Sequence, residues 1–282
     1  MSWMFFALLS VLLFSISSLL QRVLMKEEQS DAHAYSIAFQ LLGAVVVGIF
    51  AITQGFEFPP IDTYPVNFLL LAVLYGTGTL CLFNAYKYLG ASEVTIITSS
   101  RTIVTIISAV LILNEVFDLQ KAAGTILILT SILIISDKIG KIKLDKGFFY
   151  ALGMSVCYGL AITNDTFLLS HVNIYSFTTI GFLLPGLFLI LVNPKKIKKL
   201  NIFFKTKVFL KLLLMTASYG IAALLFYSAI NHGATASQIT PILQSTVIIT
   251  VILAMIFLKE RTNILKKCIG ATLVTIGVIL LA

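Results

Sequence analysis

Arg101 is the residue whose type and position carry the most chemistry. It lies in the apolar run from about Glu93 to Leu113, about eight residues from its start and so roughly 12 Å down a helix that rises 1.5 Å per residue. A charge at that depth in hydrocarbon costs at least a few kcal/mol and normally faces a cavity or a partner. Thr98, Thr105 and Ser108 stand three before, four after and seven after it, a spacing that puts them on the same helical face. A guanidinium on a hydroxyl-lined stripe suits a carboxylate or a phosphate, which its planar fork grips through two hydrogen bonds. The competing structural roles are a pair with an internal acid such as Glu93 or Asp165, or a long side chain reaching for the nearer surface.

Other polar groups recur at helical spacing. Ser237, Thr240 and Gln244 form a stripe with Gln238 beside it and Pro241 among them; a proline there frees a backbone carbonyl and can bend the helix, giving a gating position. Such residues also serve as glue between membrane helices. Tyr75, Thr79 and Asn84 in one run, and Tyr219, Tyr227 and Asn231 in another, offer apolar ring faces with polar tips, which suit flat or amphiphilic organic solutes. Asp165 follows Asn164 late in its run. An intramembrane carboxylate can load and release a proton for coupled transport, and the competing reading is an ordinary solvated or helix-pairing acid near the outer end. Tyr35, Tyr64, Tyr88 and Trp3 read as interface-belt residues. His33, His171 and His232 are too scattered for a metal site, and Cys81, Cys157 and Cys268 show no CxxC spacing. Neither a metal nor a cofactor is expected.

What must position these groups is a set of membrane helices. Hydrophobic residues make up 59% of the chain and charged residues 11%, with a mean hydropathy of +1.01, far from the roughly 25% charged content of soluble domains. Spanning hydrocarbon takes about 20 apolar residues per helix, and the 282 residues divide into ten candidate spans with little left over. No room remains for a soluble catalytic domain. The net charge of +8 fits lysines that set membrane topology and calls for no nucleic-acid partner.

The candidate spans run over about 3–24, 35–53, 66–88, 93–113 and 119–136, then 147–169, 174–192, 208–231, 235–258 and 263–281. The stretch from Tyr75 to Ile135 is echoed from Tyr219 to Leu281. Each copy has a Tyr-Gly opening, a Gly-Ala joint (Gly90-Ala91, Gly233-Ala234), a terminal glutamate (Glu115, Glu260), and a glycine heading the last run (Gly124, Gly270). The halves are residues 1–137 and 147–282, joined by a Lys-rich linker at 138–146. Five spans per half is an odd number, so the second half enters the membrane inverted relative to the first. That yields an all-α integral membrane fold of ten transmembrane helices, two inverted five-helix repeats around a central cavity, with the site at the repeat interface. Lysines and arginines crowd the loops after spans one, three, five, seven and nine, whereas the opposite face has essentially Lys121 alone. By the positive-inside rule the termini lie outside.

The duplicated unit resembles the EamA-type repeat of the drug/metabolite transporter superfamily, over essentially the whole chain. The features that carry this are the Ala-rich joint, the Leu-Asn-Glu at Leu113 to Glu115 with its counterpart Leu-Lys-Glu at Leu258 to Glu260, and the glycine that opens each final helix. The resemblance implies a basket of ten helices about a central cavity and carriage of small organic solutes. Ten-helix members are generally drawn with both termini in the cytoplasm, opposite to the charge count. The family also usually has a proline partway along the helix before the glutamate; here Ser100-Arg101 and Ser245-Thr246 stand in that neighbourhood, with Pro241 a turn earlier.

The expected function is secondary transport, not enzymatic catalysis, since no paired intramembrane acids, HExxH or His/Asp constellation is present. The expected cargo is a small-molecule metabolite, with amino acids or related anionic or zwitterionic solutes favoured. It would cross the cytoplasmic membrane by alternating access, with export the favoured direction and protons an open choice of coupling ion. A carrier or flippase of a phosphate-bearing lipid and a multidrug exporter of lipophilic cations are the alternatives. Beyond the lipid bilayer no partner is required; the oligomeric state stays open, and a monomer suffices to close one cavity.

Overall fold

The computed structural model describes residues 3–25, 31–89, 94, 97–135, 145–204, 206–246, 248–249 and 264–281. Every regular element among them is a helix. The α-helices are α1 (Trp3–Met25), α2 (Ala32–Thr53), α3 (Pro65–Tyr88), α4 (Arg101–Leu113), α5 (Leu119–Ile135), α6 (Lys146–Leu169), α7 (Ile174–Val192), α8 (Thr206–Asn231), α9 (Ala236–Leu243) and α10 (Ile264–Leu281). A 3-10 segment, Pro194–Phe204, joins α7 to α8, in a stretch the sequence reading leaves as a Lys-rich loop. Six helices (α1, α2, α3, α6, α7 and α8) are long and apolar enough to cross a membrane. The linker up to residue 144, the Gly90-Ala91 joint, Glu260 and the side chain of Cys268 lie outside the described residues.

Local chemistry sets the helix ends. Pro65 opens α3 at a position where its missing N–H costs nothing. Asp145 caps α6 by accepting from the Gly147 and Phe148 amides at 2.9 and 3.1 Å. The Gly233-Ala234 joint ends α8: Gly233 takes a φ of +104°, and the amides of Gly233 and Ala234 reach back to the carbonyls of Ile230 and Ala229, both at 3.0 Å. Glycine adopts that left-handed backbone without the penalty a Cβ would bring.

The fourth span corrects the sequence reading. It is not a continuous helix from Glu93: residues 97–98 are helical, Ser99 and Ser100 form a turn, and α4 starts at Arg101. Through the turn the bonding tightens from i→i+4 to i→i+3, with Ser100 N on Ile97 O at 3.1 Å, Thr102 N on Ser99 O at 3.1 Å and Ile103 N on Ser100 O at 3.0 Å. The Ser100 hydroxyl also donates to Ile97 O at 2.7 Å, the local competition with backbone bonding that serine offers. The ninth span is interrupted in the same way. After α9, Gln244 N bonds Pro241 O at 3.0 Å and Ser245 N bonds Ile242 O at 2.9 Å before helical residues resume.

Packing runs mostly between the halves. α1 lies on α8 and α3 on α6; α2 lies on α7 and α5 on α10; α4 touches α6 as α9 touches α1; α3 touches α7 as α8 touches α2. Exchanging α1–α5 for α6–α10 leaves this pattern unchanged. Between spans, where lipid tails are as apolar as leucine, close fit supplies the attraction. Phe68, Phe83, Phe177, Leu168, Leu189 and Met215 are fully enclosed in it. Tyr35, read from sequence as a belt residue, is also buried, with its ring edge-on to Phe203 at 4.7 Å, because the 3-10 segment folds over the start of α2.

α5 and α10 meet backbone to backbone. A Cβ on Gly124 would lie 2.8 Å from the Gly277 carbonyl oxygen, and one on Gly277 would lie 2.8 Å from the Gly124 carbonyl oxygen. Gly124→Val is therefore expected to force the pair apart at a cost of about 1–3 kcal/mol, read as a lower melting temperature in detergent. Gly153→Ala is the control, since its Cβ would meet only Cys81 Sγ at 3.5 Å and should change little. Equal melting of the two variants would contradict this account of the contact.

The start of α2 is tied to the 3-10 segment through Asp31. Its Oδ1 accepts from the His33 and Ala34 amides at 3.1 and 3.2 Å, and its Oδ2 meets the Lys196 and Lys199 ammoniums at 2.6 and 2.8 Å. Burial pushes the carboxyl up, but the hydrogen bonds from Lys196, Lys199 and Ala34 outweigh it, and the group is held well below the usual aspartate range. A folded-state value depressed in this way gives stability that is complete above about pH 4, the ordinary carboxyl range, and is lost as pH falls through the folded value. Asp31→Asn keeps the cap and loses the ion pairs, so melting should lose that acid dependence. Asp31→Ala removes the cap as well, for about a further 1 kcal/mol. Identical acid profiles for wild type and Asp31→Asn would overturn the assignment.

Candidate functional site

A cavity of about 120 Å³ sits among α1–α4 and α6–α9. Its cation is Arg101, carried to the wall as the first residue of α4 by the interruption at Ser99-Ser100. The Arg101 Nε is buried without a hydrogen-bond partner, and among the described residues the side chain makes no ion pair. Glu93 is outside those residues, and Asp165 is engaged elsewhere. An arginine buried in this way retains unsatisfied capacity to bind an anion.

Aromatic rings make most of the remaining wall. Tyr219 lies edge-on to Phe14 at 4.8 Å and to Phe39 at 5.0 Å, Tyr75 is 5.2 Å from Tyr158, and Tyr227 is 5.2 Å from Phe226. Phe182 closes the α7 side, where Thr178 contributes a hydroxyl. The Tyr158 hydroxyl is set by Thr79 Oγ1 at 2.9 Å, and Thr79 in turn accepts from Gln40 Nε2 at 2.8 Å. That leaves Gln40 Oε1, on the cavity-lining side chain, buried and without a donor.

Asp165, read as a solvated or helix-pairing acid, is the second of these and not the first. It is fully buried, because α3 and α8 close over the end of α6. Its Oδ2 accepts from the Tyr75 hydroxyl and from the Tyr227 hydroxyl, the latter at 3.0 Å, while Oδ1 has no partner. The two tyrosine oxygens are themselves 3.3 Å apart. Both tyrosines line the cavity, so the carboxyl stands one side chain behind its wall.

Of the residues singled out in sequence, Arg101, Tyr75, Tyr219 and Tyr227 line the cavity. The others do not, and their contacts say why. Thr79 stands behind the wall as the Tyr158 support. Thr105 donates to Arg101 O at 3.1 Å and Gly159 O at 3.2 Å, at the α4–α6 contact. Thr98 precedes the interruption and is not part of α4. Asn84 donates to its own helix at Leu80 O. Gln238 belongs to the start of α9, accepting from Thr235 and donating to Leu281 O at 3.0 Å. Gln244 ties the two interruptions together, donating to Ser99 O at 3.2 Å and Thr102 Oγ1 at 2.9 Å. Pro241 is buried in α9, two residues before Leu243 at the cavity edge. The sequence reading missed Gln40 and Tyr158, although each is a polar group within an apolar run, the signal that singled out Gln244. The phenylalanines had no such signal among 21.

Comparison with known proteins follows from this geometry. Two segments, residues 1–137 and 145–282, match the EamA-like transporter family. Human solute carrier family 35 member G1 is 28% identical over 132 residues, covering 47% of this chain and 35% of that protein. The chain thus aligns with about a third of the length of this curated relative. A solved crystal structure superposes on 99% of this chain and 95% of its own, with a TM-score of 0.77 at 12% identity, a likeness of fold alone.

Proposed function

The chain belongs to the EamA-like transporter family, multi-pass membrane transporters of small solutes, and on that premise we propose that it carries amino acids or related anionic or zwitterionic metabolites by alternating access. The observation that carries the substrate class is the Arg101 guanidinium at the wall of an aromatic cavity, its Nε without a hydrogen-bond partner and the group without an ion pair among the described residues. A substrate carboxylate would satisfy it through two hydrogen bonds. The free Gln40 oxygen offers an acceptor to a substrate ammonium, and the rings accept an apolar side chain. Binding groups left unsatisfied until cargo arrives are what selective recognition needs, since a solute lacking the matching group leaves them unpaired.

Two features support the reading as an inverted repeat of five-helix halves in the cytoplasmic membrane: the packing pattern survives exchange of the halves, and the interruptions recur at Ser99-Ser100 and Gln244-Ser245. Broken spans at the repeat interface are where such carriers hold their cargo. Asp165, buried without a counter-cation among the described residues, is the group we assign to proton coupling, and Pro241 with Gln244 shapes the hinge between α4 and α9. Proteoliposomes tested for uptake and efflux of amino acids, organic anions and lipophilic cations, with and without a pH gradient, check the reading. Movement of carboxylate-bearing solutes is the expected result; transport confined to lipophilic cations would overturn it.

A further inference from the structure

A second cavity, of about 470 Å³, lies at one end of the molecule, with Glu115, Thr166, Ser170, Asn231 and Thr235 on its wall. Ser170 and Asn231 are exposed there. Two of the helices that line the central cavity, α6 and α8, continue into this vestibule. On α6, Ile162 faces the cavity and Thr166 the vestibule; on α8, Tyr227 faces the cavity and Asn231 the vestibule. Each step is four residues, so the lining residues of the two spaces are offset by about 6 Å, one helical turn, along both helices.

What fills that turn is the carboxyl cluster. Asp165 lies between Ile162 and Thr166, and its Oδ2 receives the hydroxyls of Tyr75 from α3 and Tyr227 from α8. One oxygen therefore pins three helices from both halves across the space between the cavities. At the vestibule rim Glu115, at the end of α4, accepts from the Ala236 and Ser237 amides at 2.8 and 2.9 Å, which fixes the start of α9 as the opposite lip. The vestibule is built from the segments after α4, α6 and α8, the face with few lysines, whereas Lys195, Lys196, Lys198 and Lys199 lie on the other.

We propose that the Tyr75–Asp165–Tyr227 cluster is the closed barrier between the central cavity and the Glu115 vestibule, and that this vestibule is the outer port of the translocation path. The proposal rests on the transporter reading, and it adds the route and the side. Opening then requires the tyrosine hydroxyls to leave Asp165, which lets α8 swing from α3 and α6 and joins the two spaces.

The test needs no substrate. In full-length protein with Cys81, Cys157 and Cys268 replaced by alanine, single cysteines are placed at Ser170 in the vestibule and Ile162 in the cavity. A membrane-impermeant anionic methanethiosulfonate is applied to the outside of right-side-out vesicles. Ser170→Cys is expected to label readily and Ile162→Cys at least tenfold more slowly. Adding Tyr75→Phe and Tyr227→Phe is expected to bring the Ile162→Cys rate to within about threefold of Ser170→Cys, and Tyr227→Phe alone, the milder change, to an intermediate rate. Ile162→Cys labelling as fast as Ser170→Cys without the tyrosine changes would overturn the barrier, as would no acceleration by either variant. Ser170→Cys labelling only in inside-out vesicles would overturn the outer assignment. Because labelling reports access and not flux, a failed transport assay beside these expected rates would count against the transport reading alone.

Discussion

Arg101→Ala is expected to cut transport of carboxylate-bearing solutes by on the order of 100-fold, the effect of about 3 kcal/mol, in the range for a desolvated charged hydrogen-bonding group. The fold should survive. Arg101 makes no ion pair among the described residues and has an unpartnered buried nitrogen, so its removal breaks no salt bridge and relieves the burial of a charge. The melting temperature should therefore stay level or rise while flux falls. Arg101→Lys keeps the charge and loses the planar fork, and should retain an intermediate rate. Normal flux in the alanine variant would make Arg101 structural and remove the main support for an anionic or zwitterionic cargo. A variant that fails to fold would show that the guanidinium holds helices together in a way its unpaired Nε gives no sign of.

Asp165→Asn carries the second large effect. The amide oxygen still accepts from Tyr75 and Tyr227, so the barrier and the packing should persist, but the group no longer exchanges a proton. One-for-one proton exchange under a gradient of one pH unit supports up to tenfold accumulation, since each unit corresponds to about 1.4 kcal/mol. Wild type is expected to approach that figure for a zwitterionic solute, and the variant to equilibrate without accumulating while still exchanging labelled for unlabelled solute. Accumulation by Asp165→Asn at the wild-type level would free Asp165 from any coupling role. No accumulation by wild type would do the same for the gradient.

These two residues also mark how far the sequence reads by itself. Its apolar runs located the helices, with α7 running over Ile174–Val192 as read and the other ends exact or within three residues, except the start of α4 and the end of α9; a stretch of about 20 apolar residues is a local property that the bilayer alone imposes. The repeated motifs gave an expected correspondence between the halves, and rare charge or tyrosine in an apolar run pointed to Arg101, Tyr75, Tyr219 and Tyr227, which line the cavity. What the sequence left undecided was which polar group faces which neighbour. Gln40 and Gln244 are the same side chain inside apolar runs, yet Gln244 meets the Ser99 carbonyl and the Thr102 hydroxyl, whereas Gln40 meets Thr79 and keeps an oxygen on a cavity-lining side chain. Asp165, close to a helix end and so read as either a solvated or a helix-pairing acid, is sealed by tyrosines from α3 and α8, about 90 residues before it and 62 after it in the chain. The interruption that sets Arg101 at the cavity depends on serine hydroxyl and i→i+3 backbone bonds that the apolar pattern does not register. Hydropathy along the chain reports the preference of a helix for lipid; whether a given face meets lipid, a neighbour or a cavity belongs to the helices packed against it, and only the tertiary structure decided that.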